Sequence, residues 1–196
     1  MVVLATMFIT QITMAKFTFT KLSIPDVVLV EPTLFNDERG FFSEMYNKRE
    51  FVDVGIDEDF VQDNFSFSGG GVVRGLHFSI SPHGTSKLVR CTSGEIFDVA
   101  VDIRSDSETF GKWVSAVLSE QNHRMLFVPK GFAHGFCVMG ESAGVSYKVT
   151  DFYYPESDAG IIFNDPDIAI DWPIKNPILS EKDKKLPFLK DLNYER

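Results

Sequence analysis

Hydrophobic and polar residues alternate along the middle of the chain, most clearly between Glu95 and Ile103. Alternation with a period of two is typical of a β-strand that buries one face. The odd positions are apolar and the even positions include two acids: Phe97, Val99, Val101 and Ile103 against Ile96, Asp98, Ala100 and Asp102. The pattern therefore predicts a strand that presents two carboxylates on one side of a sheet.

Short strands separated by turn residues are predicted through most of the chain. The turn at 128–131 leads into a strand-like segment at 132–139, in which His134 shares a face with apolar residues. A helical pattern occurs only near 46–54 and 180–186. Many short strands with Gly and Pro turns favour a sandwich or barrel. We therefore expect an all-β jelly-roll barrel or sandwich with a few short peripheral helices.

The first fifteen residues differ from the rest of the chain in being strongly apolar. This segment has no Lys or Arg ahead of its apolar run, unlike a secretory signal peptide, and it is too short to span a bilayer. From residue 16 no linker and no repeat interrupts the pattern, and 196 residues with 44% hydrophobic content can bury a full core. We predict an N-terminal extension at 1–15 and a single domain at 16–196.

Charge and cysteine content restrict the partners and the compartment. A net charge of -9 argues against a nucleic-acid-binding protein, so an anionic substrate must be held by a local basic pocket. Cys91 and Cys137 lie in strand-like segments without CxxC spacing, which indicates buried free thiols. Free thiols are typical of a reducing compartment, so we expect a cytoplasmic protein without a membrane partner.

The stretch between Arg74 and Arg104 carries the side chains with the clearest chemical meaning. His77 and Lys87 form the kind of pair that removes a proton from a carbon beside a carbonyl and holds the resulting oxyanion. A histidine of ordinary pKa, about 6.5, is largely neutral at pH 7 and accepts a proton. The alternatives are that Lys87 is a solvent-facing strand charge and that His134 is a hydrogen-bonded core residue.

Four other residues have weaker signals. Tyr147 and Tyr153 are compatible both with a site and with core aromatics whose hydroxyls reach the rim. His83 and His123 lie in polar, turn-like stretches, and we assign them no role.

Nine motifs occur along the chain in an order that resembles one known family. They are DERGFFSEMYN at 37–47, VQDNFSFS at 61–68, RGLHF at 74–78, KLVR at 87–90, GEIFDVAVDIR at 94–104, FVPKGFAHGF at 127–136, YKVTDFYYP at 147–155, FNDPDIAIDWP at 163–173 and ILSEKD at 178–183. Together they resemble the dTDP-4-dehydrorhamnose 3,5-epimerase family over about residues 22–189. One piece such as RGLH is weak, whereas nine in this order are specific.

The resemblance implies both a fold and a reaction. The fold would be a cupin-like jelly roll, and the enzyme would be a homodimer without metal or cofactor. The reaction would invert C3 and C5, which flank the 4-keto group, and convert dTDP-4-dehydro-6-deoxy-D-glucose to dTDP-4-dehydro-L-rhamnose. Such an epimerisation needs a base on one face of the sugar, an acid on the other, and stabilisation of the enolate.

The resemblance also assigns catalytic roles. His77 would be the base, Tyr147 the proton donor on the opposite face, and Lys87 the cation near the enolate oxygen. Asp183 would orient His77, although the residues alone leave Asp98 as a rival. A phenol of ordinary pKa, near 10, keeps its proton at neutral pH, as a donor must.

Substrate-binding positions follow from the same resemblance. Arg39 and Arg74 would hold the diphosphate, and Tyr153 would stack on the base. The other positions that match ligand contacts are Phe42, Glu44, Gln62, Asn64, His134, Asp158 and Lys182. Arg74 and His77 are three apart and would point to opposite faces of a regular strand, so we predict a bulge at Gly75.

The chain departs from the family pattern next to the predicted base. Phe78 and Ser79 follow His77, and Thr85 and Ser86 precede Lys87, where most members carry a tyrosine, glutamines and a glycine. We expect these side chains around the sugar pocket, where short hydroxyls change which sugar hydroxyls are paired. Epimerisation at C3 alone, or of a related nucleotide 4-keto-deoxysugar, is therefore an alternative.

Two hypotheses from other classes compete with an epimerase. A metal-dependent cupin would require His77, Glu95 and His134 to converge on a metal, and the chain has no HxH pair. A nucleotide-sugar-binding protein without activity would retain Arg39 and Arg74 but would not need the base and acid residues, all of which are present.

Overall fold

Eleven β-strands and one α-helix form the secondary structure of residues 15–192, the part of the chain that this computed structural model describes. The predicted extension at 1–15 lies outside the described residues except for Ala15. The strands are β1 Phe17–Lys21, β2 Val28–Pro32, β3 Phe35–Asp37, β4 Gly40–Phe42, β5 Gln62–Gly69, β6 Val73–Ser79, β7 Lys87–Asp102, β8 Trp113–Ser119, β9 Met125–Val128, β10 Phe132–Val149 and β11 Asp158–Gly160.

Helical structure is confined to short segments. Helix α1 spans Lys48–Asp53, and 3₁₀ turns span Pro155–Ser157, Asp183–Lys185 and Leu189–Asp191. Helix α1 and the turn at Asp183–Lys185 agree with the two helical regions predicted from the sequence. The other two turns, of three residues each, are too short to produce a helical period in the sequence.

Nine strands form one antiparallel sheet in the order β1-β2-β9-β7-β10-β6-β11, with β8 also paired to β7 and β5 to β10. The two longest strands change partner along their length. The start of β7 pairs with β9 and its end with β8, and the start of β10 pairs with β6 and its end with β5. These changes divide the sheet into two layers joined by β7 and β10. The all-β jelly-roll prediction is confirmed.

Strand β7 separates two hydrophobic cores, whereas its alternating pattern predicts one buried face and one face with two acids; Asp98 and Asp102 are themselves fully buried. Ile96 and Ala100 pack in one cluster of buried residues. Val99, Val101 and Ile103 pack in a second cluster on the opposite face. Burial on both faces fixes the register of β7 against β10 from Ile96 to Asp102, because a slip of one residue would exchange the two faces.

A third cluster attaches helix α1 to the sheet. Phe51 is fully buried there, and its ring meets those of Phe17 and Tyr46 edge to face at 5.5 and 5.0 Å. The Asn47 side chain caps the helix by accepting a hydrogen bond from the Arg49 amide at 3.1 Å. Truncating a buried phenylalanine such as Phe51 costs about 3–5 kcal/mol. This packing fixes the chain that leads into β5.

Two further expectations concern the cysteines and membrane-spanning segments. Cys91 and Cys137 are buried free thiols, which confirms that prediction. Within residues 15–192, none of the helices has the length and apolar character needed to cross a membrane.

Candidate active site

A cavity of about 380 Å³ lies against β5, β6, β7 and β10. It brings together ten of the predicted site residues: Gln62, Asn64, Arg74, His77, Lys87, His134, Tyr147, Tyr153, Asp158 and Lys182. These residues come from segments up to 120 positions apart in sequence (Gln62 to Lys182). The four strands carry seven of them, and Tyr153, Asp158 and Lys182 come from β11 and from loops. The cavity is thus the candidate active site.

A bulge in β6 directs Arg74 and His77 into the same cavity. His77 is the register partner of His134, and Arg74 is the partner of Phe136, so the two residues between them on β6 lie opposite one residue of β10. Gly75 lies at this irregularity with φ +123°, and a Cβ on it would lie 2.6 Å from the Gly135 Cα. The predicted bulge at Gly75 is confirmed, and only glycine fits there.

His77 is bound to a buried carboxylate. Its Nε2 lies 2.7 Å from Asp183 Oδ1, and Asp183 is only 4% exposed. Burial would raise the pKa of Asp183, but the hydrogen bond and charge of His77, with the Gly75 amide, hold that pKa below its usual value. The carboxylate accepts the proton on Nε2, so the neutral ring carries its lone pair on Nδ1. This tautomer is the one that can accept a proton at Nδ1.

The two acids of β7 have different partners, and neither is bonded to His77. Asp98 Oδ1 lies 2.8 Å from His134 Nε2. Asp102 accepts hydrogen bonds from Arg104, Ser107 and Thr109. Of the two carboxylates considered as partners of His77, Asp183 is therefore the one in contact. His134 is buried, and that burial lowers its pKa, so the ring is neutral at pH 7.

Lys87 is a half-buried cation of the cavity. Its Nζ donates a hydrogen bond to the His77 carbonyl at 3.3 Å. Burial lowers its pKa to about 8, against the opposing effects of Asp98 and Asp158. A half-buried ammonium next to the candidate base is suited to hold a negative oxygen, because its charge is less screened there than in water.

Tyr147 occupies the wall formed by β10 and β5. It is the register partner of Asn64 on β5 and of Val89 on β7. Burial raises its pKa, while Arg74 lowers it and Asp158 raises it further. The phenol therefore remains protonated well above neutral pH and can serve as a donor.

A polar cluster closes one side of the cavity. Asp158 accepts a hydrogen bond from Lys182 Nζ and another from the Tyr153 hydroxyl at 3.2 Å. Arg74 Nε donates to Ser68 Oγ at 2.9 Å. Three cations, from Arg74, Lys87 and Lys182, thus face a cavity in a protein of net charge -9, which fits the expected local basic pocket.

Three predicted binding residues are not part of the cavity that residues 15–192 form. Arg39 and Phe42 belong to the β3–β4 hairpin, a separate two-stranded sheet. The Arg39 side chain is 85% exposed and pairs with Asp37, and Phe42 is 67% exposed. Glu44 follows the hairpin and accepts hydrogen bonds from Lys16 and Asn47.

Of the residues that depart from the family motif, some line the cavity and one does not. Ser79 and Thr85 line the cavity, and Thr85 Oγ1 donates to Ser79 Oγ at 3.2 Å. Ser86 is fully buried and bonds to Glu58 at 2.9 Å and to the Lys130 amide at 3.0 Å. The expectation that Ser86 lies around the pocket is wrong, because it alternates with Thr85 and Lys87 and so points away.

Comparison with known proteins decides which family this site belongs to. The sequence model of the dTDP-4-dehydrorhamnose 3,5-epimerase family matches residues 21–191. The chain belongs to the dTDP-4-dehydrorhamnose 3,5-epimerase family. The family resemblance of the nine motifs is confirmed, and with it the expectation of an isomerase.

Relatives of this epimerase-family chain cover most of its length. A dTDP-4-dehydrorhamnose 3,5-epimerase from Shigella flexneri is 53% identical over 164 residues, which cover 83% of this chain and 91% of that protein. A solved dTDP-6-deoxy-D-glucose-3,5-epimerase from Legionella pneumophila, in complex with dTDP-4-keto-L-rhamnose, is 45% identical with a TM-score of 0.87, covering 90% of this chain and 95% of that one. The likeness in fold supports the cupin-like jelly roll.

A more distant neighbour bears on the number of carbons inverted. It is a 3'-monoepimerase from Streptomyces bikiniensis in complex with dTDP-quinovose, which is 30% identical with a TM-score of 0.81 and covers 86% of each chain. The identity to this epimerase-family chain is thus higher for the two 3,5-epimerases than for the mono-epimerase.

The metal-cupin hypothesis does not match the contacts of the site. It requires His77, Glu95 and His134 to converge, but each histidine is bonded to its own aspartate. Within residues 15–192 no group of three or more His, Cys, Asp or Glu side chains is arranged to hold a metal ion.

Eight further residues line the cavity beyond those predicted as functional: Ser66, Phe78, Ser79, Thr85, Phe136, Val149, Asp151 and Phe152. A period-of-two signal was available for Ser66, which alternates with Gln62 and Asn64 on β5. The same signal places Val149 beside Tyr147. Asp151 and Phe152 follow the end of β10, where strand periodicity no longer indicates a direction.

Proposed function

We propose that the protein inverts C3 and C5 of dTDP-4-dehydro-6-deoxy-D-glucose to give dTDP-4-dehydro-L-rhamnose. One observation carries this proposal. A histidine with a buried aspartate partner, a half-buried lysine and a protonated tyrosine all face one cavity. These are the base, the enolate-stabilising cation and the acid that epimerisation beside a ketone requires.

His77 would begin each inversion. Its Nδ1 takes the proton from the carbon beside the 4-keto group. The electron pair of the C–H bond forms a carbon–carbon double bond, and the π pair of the carbonyl moves to its oxygen, which gives the enolate. Asp183 keeps the other ring proton on Nε2 and stabilises the imidazolium that forms. The base and its orienting carboxylate thus act as one unit.

Lys87 and Tyr147 would complete the step. The Lys87 ammonium stabilises the enolate oxygen, and the Tyr147 hydroxyl delivers a proton to the carbon from the other face. The carbon regains four bonds with inverted configuration. Tyr147 then takes a proton from solvent, and the His77 imidazolium releases its extra proton to solvent and becomes neutral again. The same cycle at the second carbon completes the double epimerisation.

Binding of the nucleotide would use the polar side of the cavity. Arg74 would hold the diphosphate, and Tyr153, which is 65% exposed, would stack on the base. The remaining contacts that we assign to the substrate are from Gln62, Asn64, His134, Asp158 and Lys182.

A homodimer would account for the residues outside the cavity. Arg39, Phe42 and Glu44 are assigned to substrate binding but lie on or next to an exposed hairpin. Phe65 and Phe67 on β5 are also 66% and 61% exposed, an apolar strand face suited to a second copy. We infer that the hairpin of each protomer reaches the partner's cavity.

A mixing experiment tests this homodimer. Mixing inactive Arg39→Ala and His77→Ala chains should restore activity, because one cavity of the mixed dimer has both an intact His77 and an intact Arg39. No restoration after the subunits have exchanged would count against the shared cavity.

Location and domain organisation complete the proposal. Two buried free thiols support a reducing compartment, which is the cytoplasm in our proposal. The continuous nine-stranded sheet supports one domain starting at residue 16.

The decisive experiment follows solvent deuterium by NMR. The protein is incubated with dTDP-4-dehydro-6-deoxy-D-glucose in heavy water, with His77→Ala as the control. We expect deuterium at both C3 and C5, and none with the variant. Absence of exchange by the wild type would overturn the proposal.

A second candidate is epimerisation at C3 alone. It is favoured by one observation, the Ser79–Thr85 hydroxyl pair in the cavity wall, which alters the groups available to the sugar. Deuterium confined to C3, with C5 retaining its original configuration, would establish this candidate instead.

A further inference from the structure

One histidine outside the cavity lining joins two loops at its rim. His83 lies between β6 and β7, and its Nδ1 is 3.0 Å from Asp151 Oδ2, just after β10. The same ring stacks on Tyr154 with centroids 3.6 Å apart and planes at 21°. A single side chain therefore holds the segment 151–154 at both of its ends.

The residues between these two contacts form part of the cavity wall. Phe152 and Tyr153 line the cavity and are 58% and 65% exposed, so little packing holds them. The sheet ladder of β10 ends at Val149. Beyond that point the Phe152 amide donates to the Asp151 side chain, and the Ser157 amide donates to the Tyr154 carbonyl. His83 adds contacts from another loop to both Asp151 and Tyr154.

We propose that His83 is a positioning residue, which fixes the wall formed by Phe152 and Tyr153 and thereby sets the affinity for the nucleotide part of the substrate. This inference rests on the proposed function, in which Tyr153 stacks on the base. His83 contacts neither the reacting atoms nor the cavity in the described residues. It acts by ordering the wall before the substrate arrives, which lowers the entropy lost on binding.

The chemistry of the contact suits this role. The hydrogen bond from His83, followed by that from the Phe152 amide, lowers the pKa of Asp151, so the acceptor is a carboxylate at neutral pH. Hydrogen bonds to a charged acceptor are short and directional. Both side chains are about 30% exposed, at 28% and 30%, so the pair adds little to global stability. The effect of the His83–Asp151 pair is therefore local: it restrains the path of residues 151–154.

The test separates the two contacts of His83. His83→Ala removes both, His83→Phe keeps a ring on Tyr154, and Asp151→Asn removes the charged acceptor. Arg124→Ala is the matched control, since it breaks a similarly exposed ion pair with Glu31 that lies away from the cavity. The melting temperature of each variant is measured to check that it is folded. If His83→Ala does not fold, His83→Phe and Asp151→Asn take its place.

Three readouts decide the inference. We expect His83→Ala to speed amide hydrogen exchange in 150–157, to weaken dTDP binding by about 5- to 30-fold in calorimetry, and to raise KM with kcat within about twofold. For His83→Phe, the exchange rate, the dTDP affinity and KM should lie between those of His83→Ala and those of the wild type. Unchanged exchange and dTDP affinity, or equal changes in Arg124→Ala, would overturn the inference.

The outcome is distinguishable from failure of the proposed function. If the wild type inverts no dTDP-sugar, the proposed function fails, while hydrogen exchange of 150–157 still reports on the restraint. If the wild type is active and His83→Ala loses kcat with KM unchanged, the positioning role is wrong and the proposed function stands.

Discussion

His77 and His134 are register partners on β6 and β10, and each ring is bonded to a different aspartate. Asp183 holds His77 at 2.7 Å, and Asp98 holds His134 at 2.8 Å. His77 is one third exposed to the cavity, whereas His134 is 8% exposed. Both rings line the cavity, so the two similar pairs differ in exposure, and His77 is the more accessible of the two.

Replacing Asp183 should impair proton removal. Asp183→Asn keeps the shape but removes the charge that stabilises the imidazolium, and the amide NH₂ group favours the wrong tautomer of His77. We expect kcat to fall by about 10²-fold or more, measured by the appearance of epimerised product. Asp98→Asn is the comparison, and its loss in kcat should be clearly smaller. An Asp183 variant with wild-type kcat would remove this carboxylate from the mechanism.

Replacing Tyr147 should abolish inversion of the carbon while exchange of its proton with solvent deuterium continues. Tyr147→Phe keeps the ring but lacks the donor, so His77 can still remove a proton and return a deuteron to the same face. We expect product to fall by about 10²- to 10⁴-fold while deuterium still enters the substrate. Tyr46→Phe, in the α1 cluster, is the control. Joint loss of exchange and product would instead assign the first proton removal to Tyr147.

The alkaline limb of the pH profile should report Lys87. Burial lowers its pKa to about 8, so the ammonium that stabilises the enolate is present below that pH and lost as pH rises through it. Tyr147, whose pKa burial raises, stays protonated over this range. We expect kcat/KM to decline above about pH 8.

Asp98 provides a check on that assignment. Its charge opposes the lowering of the Lys87 pKa by burial. Asp98→Asn should therefore move the alkaline limb to lower pH, and Asp183→Asn should leave it in place. A limb that does not move in the Asp98 variant would show that another group titrates.

Adding a methyl group at Gly75 should disrupt the site and the fold together. The residue has φ +123°, and a Cβ would lie 2.6 Å from the Gly135 Cα and 2.9 Å from the His134 carbonyl oxygen. The backbone strain alone costs about 1–3 kcal/mol. We expect Gly75→Ala to lower the free energy of unfolding by more than this, measured by urea denaturation, and to reduce kcat.

Gly140 offers a matched control for that substitution. It lies on β10, and a Cβ there would meet nothing within 4 Å. Gly140→Ala should change the free energy of unfolding by less than about 1 kcal/mol. Similar losses in the two variants would mean that the bulge is not the cause.

The strands of the cavity could be predicted from the sequence, because each face has a period of two. The alternation on β7 places Ile96 and Val99 in different cores, as found. The bulge at Gly75 could also be predicted, since Arg74 and His77 cannot otherwise share a face. These features depend on neighbours within a few residues.

Contacts between distant segments could not be predicted in this way. Asp183 and His77 are 106 positions apart, and nothing in either segment distinguishes Asp183 from Asp98 as the partner. The pairing follows from the way the 3₁₀ turn at 183–185 packs behind β6. His83 gave no signal because its partners, Asp151 and Tyr154, lie beyond the end of a strand, where no periodicity fixes direction.

The buried thiols of β7 and β10 can be used to detect the opening of these two strands. Cys91 and Cys137 are enclosed by the same two strands that carry Lys87 and Tyr147, and burial raises both thiol pKa values to about 11. A thiol reagent can therefore reach them only after these strands separate. The rate of labelling therefore measures the opening of the strands that carry the catalytic residues, and it needs no substrate.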